Sequence, residues 1–333
     1  MTRLTDWLGP MDRTVHRAGD TQAVRLRRRY DTTPDDVWSA WTEAGRLRRW
    51  LGEVTGDLRE GGEIVLDMGD DESATCRILR CDRPHRLVVT WTFPGEADSV
   101  AELRLSADGD GTLLELAHVG LDRTELARDY GEGWEDFLHR LGQHLDGAEP
   151  SDISWADVRA TLDPFWVPLV NAPVTDDRWP TAKISGEHAD LTVRRTFAAS
   201  SERVWSALTE PAELAAWFGA VEAGETWTVS FADGPGTAEV RVERCEPPKE
   251  LVVTWRWDHA EAPSVVRLTL EPVDGGTMLS IEETGAAARY ARGYGAGWYA
   301  KLAGLAIHLS GDRPTEADWD ADFALAARSL AAR

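Results

Sequence analysis

The chain has 333 residues, enough for two domains of ordinary size that each bury a core. Its 42% apolar and 28% charged residues are typical of a globular protein, and a formal net charge of -22 argues against a surface that binds nucleic acid. Three cysteines without a CxxC spacing favour a reducing cytoplasm, and no apolar run is long enough for a signal peptide or a membrane span. We therefore expect a cytoplasmic protein with neither nucleic acid nor membrane as a partner. Composition indicates nothing about the oligomeric state.

The second half of the chain repeats the first half. Three blocks recur in the same order, and one small shift in offset separates the first block from the other two. Such a match is not a chance event, and its period is too long for a solenoid, so each copy is a domain. The matched blocks are 35–52 with 202–219, 86–93 with 250–257, and 130–147 with 294–311.

The repeat divides the chain into four segments. The repeat continues past the last block, since Pro150 matches Pro314 and Trp155 matches Trp319. The segment between the two domains contains four prolines, which predicts irregular structure, and its aromatic residues suggest that it packs on a domain surface. The segments are an N-terminal extension over 1–22, a first domain over 23–160, a Pro-rich linker over 161–189 and a second domain over 190–333.

The elements of one domain are clearest in the second copy. An alternating strand over 191–197 precedes a helix that Ser200 or Ser201 can cap, and a second short helix follows Pro211. Five runs of strand character then alternate with turns such as 233–235, and a long helix closes the domain. The five runs are 225–231, 236–244, 250–257, 264–271 and 277–283.

One strand, two short helices, five strands and a long helix form the helix-grip order. The hairpin spacing indicates an antiparallel sheet that curves around the last helix. Because sheet and helix cannot seal along their whole length, a cavity is expected between them. The predicted fold class is therefore α+β, with two tandem helix-grip domains.

Three segments of the second copy carry a family resemblance: VWSALTEPAELAAWFG at 204–219, ELVVTWRWD at 250–258 and GWYAKLAGLAIHL at 297–309. With their counterparts in the first copy, they resemble the Hsp90 ATPase activator homologues of the START/Bet v1-like superfamily. That family includes co-chaperone domains, ligand carriers, cyclases and a self-sacrificing enediyne-resistance protein, and the resemblance extends to enediyne biosynthesis. The resemblance implies the fold, and the fold alone says little about function.

Aromatic side chains concentrate where the sheet and the long helix are predicted to face each other. Indole and phenol groups offer a flat apolar face and one polar handle, which suits an aromatic or polycyclic ligand. A packed core is the alternative explanation for each single residue. The predicted ligand-binding residues are Trp38, Trp50, Trp91, Phe93, Tyr130, Gly131, Gly133, Trp134, Leu138 and Leu141 in the first copy, and Trp205, Trp217, Trp255, Trp257, Tyr294, Gly295, Gly297, Trp298, Leu302 and Leu305 in the second.

A YGxGW motif begins at Tyr130 in the first copy and at Tyr294 in the second. Each glycine inside a helix costs roughly 1 kcal/mol relative to alanine, so two glycines at matching places need a reason. One explanation is close approach of the helix backbone to a neighbour. The other is chemical, and it rests on the resemblance to the enediyne-resistance protein: a glycine Cα–H bond at the pocket wall gives its hydrogen to a radical.

Motifs for catalysis and for cofactors are missing from the sequence. It contains no HExxH, no nucleophile elbow and no phosphate-binding loop, so we expect no metal and no cofactor. Glu282 and Glu283 are neighbours on a strand and must point to opposite faces, and the first copy has Ala117 and His118 there. No acid, base or nucleophile is predicted to repeat between the copies.

These patterns favour binding over turnover. We expect each domain to bind or sequester a hydrophobic aromatic or polycyclic small molecule, and a natural-product carrier or self-resistance protein is the most specific version. A polyketide cyclase or aromatase is the alternative. An interaction domain of the Hsp90 co-chaperone type is a third reading, which is disfavoured because the separate N-terminal domain of those proteins has no match here.

Overall fold

The chain folds into two compact units, Met1–Asp176 (unit 1) and Asp177–Arg333 (unit 2). Each unit contains an antiparallel sheet followed by a long helix, which confirms the predicted α+β class with tandem helix-grip domains. No helix in the described ranges is both long and apolar enough to cross a membrane. The computed structural model describes residues 10–18, 21–69, 72–150, 153–176, 178–222, 224–231 and 236–330.

Unit 1 begins with a strand pair and continues into the helix-grip elements. Its strands are β1 (Asp12–Ala18), β2 (Thr21–Tyr30), β3 (Glu53–Gly56), β4 (Glu63–Gly69), β5 (Glu72–Asp82), β6 (Arg86–Trp91), β7 (Ser99–Asp108), β8 (Gly111–Leu121) and β9 (Val174–Thr175). Its helices are α1 (Pro34–Thr42), α2 (Ala44–Leu47), α3 (Thr124–Leu145) and α4 (Trp155–Asn171). Over the described residues the sheet order is β3-β4-β5-β6-β7-β8-β2-β1-β9, with the β1–β9 pair parallel.

Unit 2 repeats this order, but its described part contains no parallel strand pair like β1–β9. Its strands are β10 (Thr181–Ser185), β11 (His188–Phe197), β12 (Ala220–Glu222), β13 (Trp227–Ser230), β14 (Thr237–Glu246), β15 (Glu250–Trp257), β16 (Ser264–Val273) and β17 (Gly276–Ala287). Its helices are α5 (Ser201–Thr209), α6 (Pro211–Trp217), α7 (Ala291–Leu309) and α8 (Glu316–Ser329). The sheet order is β10-β11-β17-β16-β15-β14-β13-β12. The turn predicted at 233–235 lies outside the described residues.

Local sequence signals set where the short helices begin. The Ser200 side chain accepts a hydrogen bond from the backbone of Arg203, which confirms the predicted cap of α5. Pro211 occupies the first turn of α6, where its missing N–H costs nothing. Thr315 and Asp318 form a reciprocal capping box at the start of α8.

The prediction that the linker lacks regular structure is wrong for its first part. Helix α4 runs to Asn171 with Pro164 and Pro168 inside it. A proline inside a helix costs about 3 kcal/mol. Burial of an apolar face outweighs this cost, because each fully buried large side chain contributes roughly 1.5–3 kcal/mol. The buried residues of this face are Val158, Leu162, Trp166 and Val170.

The predicted N-terminal extension also contributes to the sheet. Strand β1 pairs with β2 from Asp12 opposite Arg27 to Ala18 opposite Thr21. Its short sequence has few apolar residues, so the pattern alone did not indicate a strand. Pairing with β2 satisfies its backbone groups, and Val15 is buried in the core of unit 1.

Candidate functional site

The interior of unit 1 holds a cavity between the sheet, helices α1 and α2, and the long helix α3. About 60 Å³ of it is open to the centres of water molecules. One water needs roughly 10–15 Å³ on this measure, so the cavity has room for a few waters. Its wall is almost wholly apolar. The lining residues are Trp41, Thr42, Leu47, Leu51, Val54, Leu58, Ile64, Leu66, Cys76, Ile78, Cys81, Leu87, Val89, Trp91, Ala101, Glu102, Leu103, Leu116 and Trp134.

Two of the ten residues predicted for the first copy line this cavity, Trp91 and Trp134. The other predicted side chains belong to or pack against the surrounding core: Trp38, Trp50, Phe93, Tyr130, Leu138 and Leu141. Trp41 lines the cavity and is not among the predicted residues, although its spacing of three from Trp38 places it on the same side of α1. The Trp41 Nε1 atom is buried and has no hydrogen-bond partner among the described residues.

Two thiols that the sequence pattern did not indicate also line the cavity. Cys76 and Cys81 both lie on β5 and are five residues apart, so a regular strand would point them to opposite faces. The register shift between Ile78 and Arg80 brings both to the face that lines the cavity. Burial raises the pKa of the Cys76 thiol to about 12 and also raises the pKa of Cys81. Both thiols therefore keep their protons at neutral pH.

A buried hydrogen-bonded group lies beside the cavity. Trp134 donates from Nε1 to Nδ1 of His118 at 2.9 Å, and Nε2 of His118 lies 2.7 Å from Oγ of Ser99. His118 is wholly buried, and burial lowers its pKa to about 3, so the ring is neutral at physiological pH. An indole N–H can only donate, so Nδ1 is the acceptor and the proton sits on Nε2. Nε2 then donates to Ser99, and the histidine cannot take the serine proton as a base.

Unit 2 contains the same framework with a different central group. Ser264 donates to Oε1 of Glu283 at 2.6 Å, and Trp298 donates from Nε1 to Oε2 of Glu283 at 2.7 Å. Burial raises the pKa of the Glu283 carboxyl, and these two hydrogen bonds partly offset that rise. Glu282 is exposed, which confirms that the two neighbouring carboxylates point to opposite faces.

A serine recurs beside the bridging group of both units, and it contacts His118 in one and Glu283 in the other. Ser99 and Ser264 both begin a strand and pair with the tryptophan of the preceding strand, Trp91 and Trp255. The connection before the serine is one residue longer in unit 2, so the constant offset of the aligned blocks fails over this stretch. A sequence alignment that allows this shift would find the pair.

Tyr130 and Tyr294 lie at equivalent places and bind different groups. Tyr130 accepts from Nε1 of Trp91 at 3.0 Å and donates to Oε2 of Glu96 at 2.7 Å. Tyr294 stacks on Trp257, with ring centroids 5.9 Å apart, and its hydroxyl lies 3.3 Å from Nε2 of His259. Both tyrosines are half-buried, so each phenol links the interior to more exposed polar groups.

Aromatic rings pack together in the equivalent interior of unit 2. The ring of Phe218 lies 6.1 Å from Trp298 and 6.0 Å from Trp255, and these two tryptophans are 5.7 Å apart. The residue aligned with Phe218 in unit 1 is Leu51, which lines the cavity there. The larger ring occupies the space beside the tryptophans. The remaining predicted residues of unit 2 pack in or against its core: Trp205, Trp257, Leu302 and Leu305.

Trp50 and Trp217 have a structural role in the helix pair of each unit. Nε1 of Trp50 donates to the carbonyl of Ala40 at 3.1 Å, and Nε1 of Trp217 donates to Ala207 at 3.0 Å. Both bonds tie the end of the second short helix to the first. The polar handle of each indole is thus engaged by backbone.

In unit 1 the glycines of the YGxGW motif face α4, the helix that follows the long helix α3. We call α4 and its counterpart α8 in unit 2 the added helices. A Cβ atom placed on Gly131 would lie 2.4 Å from the ring of Trp166 on α4, closer than any real contact. A Cβ on Gly133 would lie 4.0 Å from Trp155 of the same helix. Gly131 therefore permits close packing of α3 on α4. This corrects the prediction that it lies in the pocket wall.

Unit 2 shows the same packing with smaller side chains. A Cβ atom on Gly295 would lie 2.8 Å from Cδ1 of Leu330, and one on Gly297 would lie 3.7 Å from Trp319. Leu330 is aligned with Trp166, and it directly follows α8. Gly295 is thus placed against the added helix as well, and not in a pocket wall.

The described residues contain no group of three or more His, Cys, Asp and Glu side chains that could hold a metal ion. The residues beside the unit 1 cavity offer hydrogen bonds and apolar contact. The paired tryptophans and the neutral His118 provide both within one buried cluster.

Comparison with known proteins finds one family model and several similar solved structures. A family model described as Activator of Hsp90 ATPase homolog 1-like protein matches residues 31–146 and 198–310. CalU16 of Micromonospora echinospora is 38% identical over 49% of this chain and 99% of its own, with a TM-score of 0.44. DynU16 of the dynemicin biosynthetic locus is 18% identical over 91% of this chain and 97% of its own, with a TM-score of 0.37. A protein of Mesorhizobium loti is 29% identical over 37% of this chain and 97% of its own, with a TM-score of 0.34. No curated protein matches the chain.

Proposed function

Because the family model covers most of both units, the chain belongs to the Activator of Hsp90 ATPase homologue 1-like family, and we propose that its unit 1 binds a hydrophobic small molecule in the interior cavity. One observation carries the proposal. The cavity is apolar, yet Trp41 in its wall has a buried Nε1 donor with no partner among the described residues. Leaving such a donor unpaired costs about 1–3 kcal/mol. A ligand that places a hydrogen-bond acceptor against this Nε1 atom recovers the cost.

The wall favours a flat aromatic ligand. Trp41, Trp91 and Trp134 contribute broad indole faces, and Trp91 and Trp134 already meet edge to face with centroids 5.3 Å apart. A ligand larger than a few waters displaces part of the wall. The half-buried side chains of Val54 on β3 and Ile64 on β4 form the part at the sheet edge.

The finer proposal is sequestration of a polycyclic aromatic natural product, as a carrier or for self-protection. Quinone and polyketide ring systems combine flat apolar faces with carbonyl acceptors, which match the indole walls and the free donor of Trp41. We assign this role to unit 1, because unit 2 has the larger ring of Phe218 beside its tryptophans where unit 1 has Leu51.

Binding is favoured over turnover by the protonation states beside the cavity. Burial works to raise the pKa of Glu102, but Arg104 and Arg86 outweigh it and lower that pKa to about 2. The Cys76 thiol stays protonated, and His118 donates from Nε2. Cyclase chemistry needs a group that gives or takes a proton near neutral pH. The titratable side chains that line the cavity do not do so.

The test compares two polycyclic ligands of the same shape, anthraquinone and anthracene, by quenching of tryptophan fluorescence. The full chain should bind both saturably. Trp41→Phe keeps a ring and removes the donor, so it should weaken anthraquinone binding about tenfold, as expected for one lost hydrogen bond, and leave anthracene unchanged. Leu51→Phe copies the residue of unit 2 and should weaken both ligands.

Phe218→Leu is the matched control, because it changes the equivalent place in unit 2 and should leave the affinity of the unit 1 site unchanged. Circular dichroism checks that each variant is folded. Saturable quenching that Leu51→Phe does not alter would place the ligand elsewhere, and an absence of quenching by both ligands would exclude the proposed function.

A further inference from the structure

Unit 2 has a pocket of its own, which lies outside the helix-grip interior. It is bounded by the end of α6, the middle of α7 and the first turns of α8, and about 240 Å³ is open to the centres of water molecules. That space is several times larger than the cavity of unit 1 and suffices for a small organic molecule. Its wall mixes aromatic side chains with ionisable ones.

Lys301 of α7 contributes an amine to this pocket, enclosed by three aromatic rings. Its Nζ lies 5.3 Å from the ring centroid of Phe218, 4.9 Å from Phe231 and 4.7 Å from Trp319, and it also donates to the carbonyl of Phe218. Ring faces favour the cation, but removal from water opposes it. Burial is the larger effect and lowers the pKa of Lys301 to about 8.

Two carboxyl groups line the same pocket. Asp318 and Asp322 of α8 are both buried, with exposed fractions of 8% and 5%. One carboxyl oxygen of Asp318 accepts from the backbone and hydroxyl of Thr315, which fixes its position. An amine and two carboxyl groups therefore share one partly enclosed space.

Two of the three aligned positions in unit 1 carry apolar residues. Phe137 stands where unit 2 has Lys301, and Val158 stands where unit 2 has Asp322. Val158 is buried in the core of unit 1, which is the ordinary use of that helix position. A half-buried lysine and a buried carboxyl group stand in unit 2 at positions that are apolar in unit 1, and they give this pocket a chemistry that unit 1 lacks.

We propose that Lys301 forms an imine with an aldehyde or ketone bound in this pocket. The neutral amine adds its lone pair to the carbonyl carbon, and one of its two protons passes to the carbonyl oxygen to give a carbinolamine. The second nitrogen proton and the hydroxyl group then leave as water and the C=N bond forms, so one water is released and no oxidation occurs. Asp318 and Asp322 are the groups in the pocket that can pass protons in these steps. The site does not depend on ligand binding by unit 1.

The lysine has the free base that this reaction requires. With a pKa of about 8, the neutral fraction at pH 7 is about 300-fold higher than for a lysine of ordinary pKa. The sequence contains three lysines, and Lys183 and Lys249 are exposed. They serve as internal references within the same molecule.

The experiment treats the full chain with benzaldehyde and cyanoborohydride at pH 7, which reduces any imine to a stable benzylamine. Peptide mapping by mass spectrometry then gives the labelling rate at each lysine. Lys301 should be labelled at least about tenfold faster than Lys183 and Lys249, with a rate that rises with pH to a plateau above about pH 8. Lys301→Met, which keeps an apolar chain among the rings, should abolish only that label.

Labelling of Lys301 at or below the rate of the exposed lysines would overturn the proposal. A rate at Lys301 that keeps rising above pH 10, as for an ordinary lysine, would overturn it too. Because the labelled peptide is identified in the wild-type chain, the result stands even if Lys301→Met fails to fold.

Discussion

The two units place different groups in one buried framework. In unit 1 His118 bridges Ser99 and Trp134, and in unit 2 Glu283 bridges the equivalent serine and tryptophan. Burial lowers the pKa of the His118 ring to about 3 and raises the pKa of the Glu283 carboxyl, so it disfavours the charged form of both groups. The same framework therefore accommodates two opposite kinds of titratable group.

The interiors of the two units also differ in the size of one side chain. Leu51 lines the cavity of unit 1, and the aligned residue of unit 2 is Phe218, whose ring lies 6.0 Å from that of Trp255. The two copies thus differ in side-chain volume next to their tryptophans. Unit 2 also has a pocket between α6, α7 and α8 that is lined by ionisable side chains.

The largest expected loss of stability distinguishes the packing of α4 in unit 1 from that of α8 in unit 2. Trp166→Ala should destabilise unit 1 by about 3–5 kcal/mol, because it removes a fully buried ring. It also removes the hydrogen bond that Nε1 of Trp166 donates to Oε2 of Glu135 at 2.8 Å. Leu330→Ala should cost unit 2 about 2 kcal/mol, since its side chain is smaller. Urea denaturation with hydrogen exchange mapped to each unit measures both changes, and equal losses would contradict the comparison.

Alanine at the motif glycines should change stability in opposite directions. Gly131→Ala should destabilise by about 1–3 kcal/mol, because the added methyl overlaps the ring of Trp166. Gly133→Ala has space and should stabilise the helix by up to about 1 kcal/mol. Gly295→Ala should cost less than Gly131→Ala, since its nearest neighbour is the terminal methyl of Leu330. Thermal unfolding gives the order, and a stabilising Gly131→Ala would disprove close packing as the reason for that glycine.

The bridging groups should give the units opposite pH dependence. Below pH 6.5 the unfolded chain protonates His118 while the folded unit does not, down to about pH 3, so this residue's contribution to stability is lost as pH falls. Glu283 holds its proton in the folded unit above pH 4.5, so its contribution is lost as pH rises. The expected slope for His118 is about 1.4 kcal/mol per pH unit.

Two neutral variants isolate these slopes. The stability difference between wild type and His118→Gln should shrink between pH 6.5 and 4.5, and the difference for Glu283→Gln should shrink as pH rises from 4.5. Urea titrations at four pH values measure both. Slopes of the same sign would show that the two bridges do not use opposite protonation.

The smallest effect should be shared by both units. Trp50→Phe and Trp217→Phe each remove one indole hydrogen bond to a backbone carbonyl and should each cost about 1 kcal/mol. Trp41→Phe is the control, because its indole donor has no partner to lose. Denaturation midpoints measure the losses. A cost at one of the two positions only would show that the short helices are anchored differently.

The local pattern of the chain predicts much of this fold because the relevant forces are local. The repeated blocks define two domains, Ser200 caps α5 as expected, and alternation identifies strands such as β15. The prolines of α4 mislead a local reading, because the burial that stabilises this helix comes from Trp166 and its neighbours on another element. Strand β1 is missed for the same reason.

The sequence by itself determined the duplication, the helix-grip order and the enrichment of tryptophan along one strand face, since these depend on periodicity and on spacing along the chain. Only the tertiary structure decided which tryptophans line a cavity, which side of α3 carries Gly131, and that His118 and Glu283 bridge equivalent partners. These outcomes depend on side-chain volumes across the sheet–helix interface, where unit 1 has Leu51 and unit 2 has the larger Phe218. Such volumes act between residues that are distant in sequence, so periodicity carries no record of them.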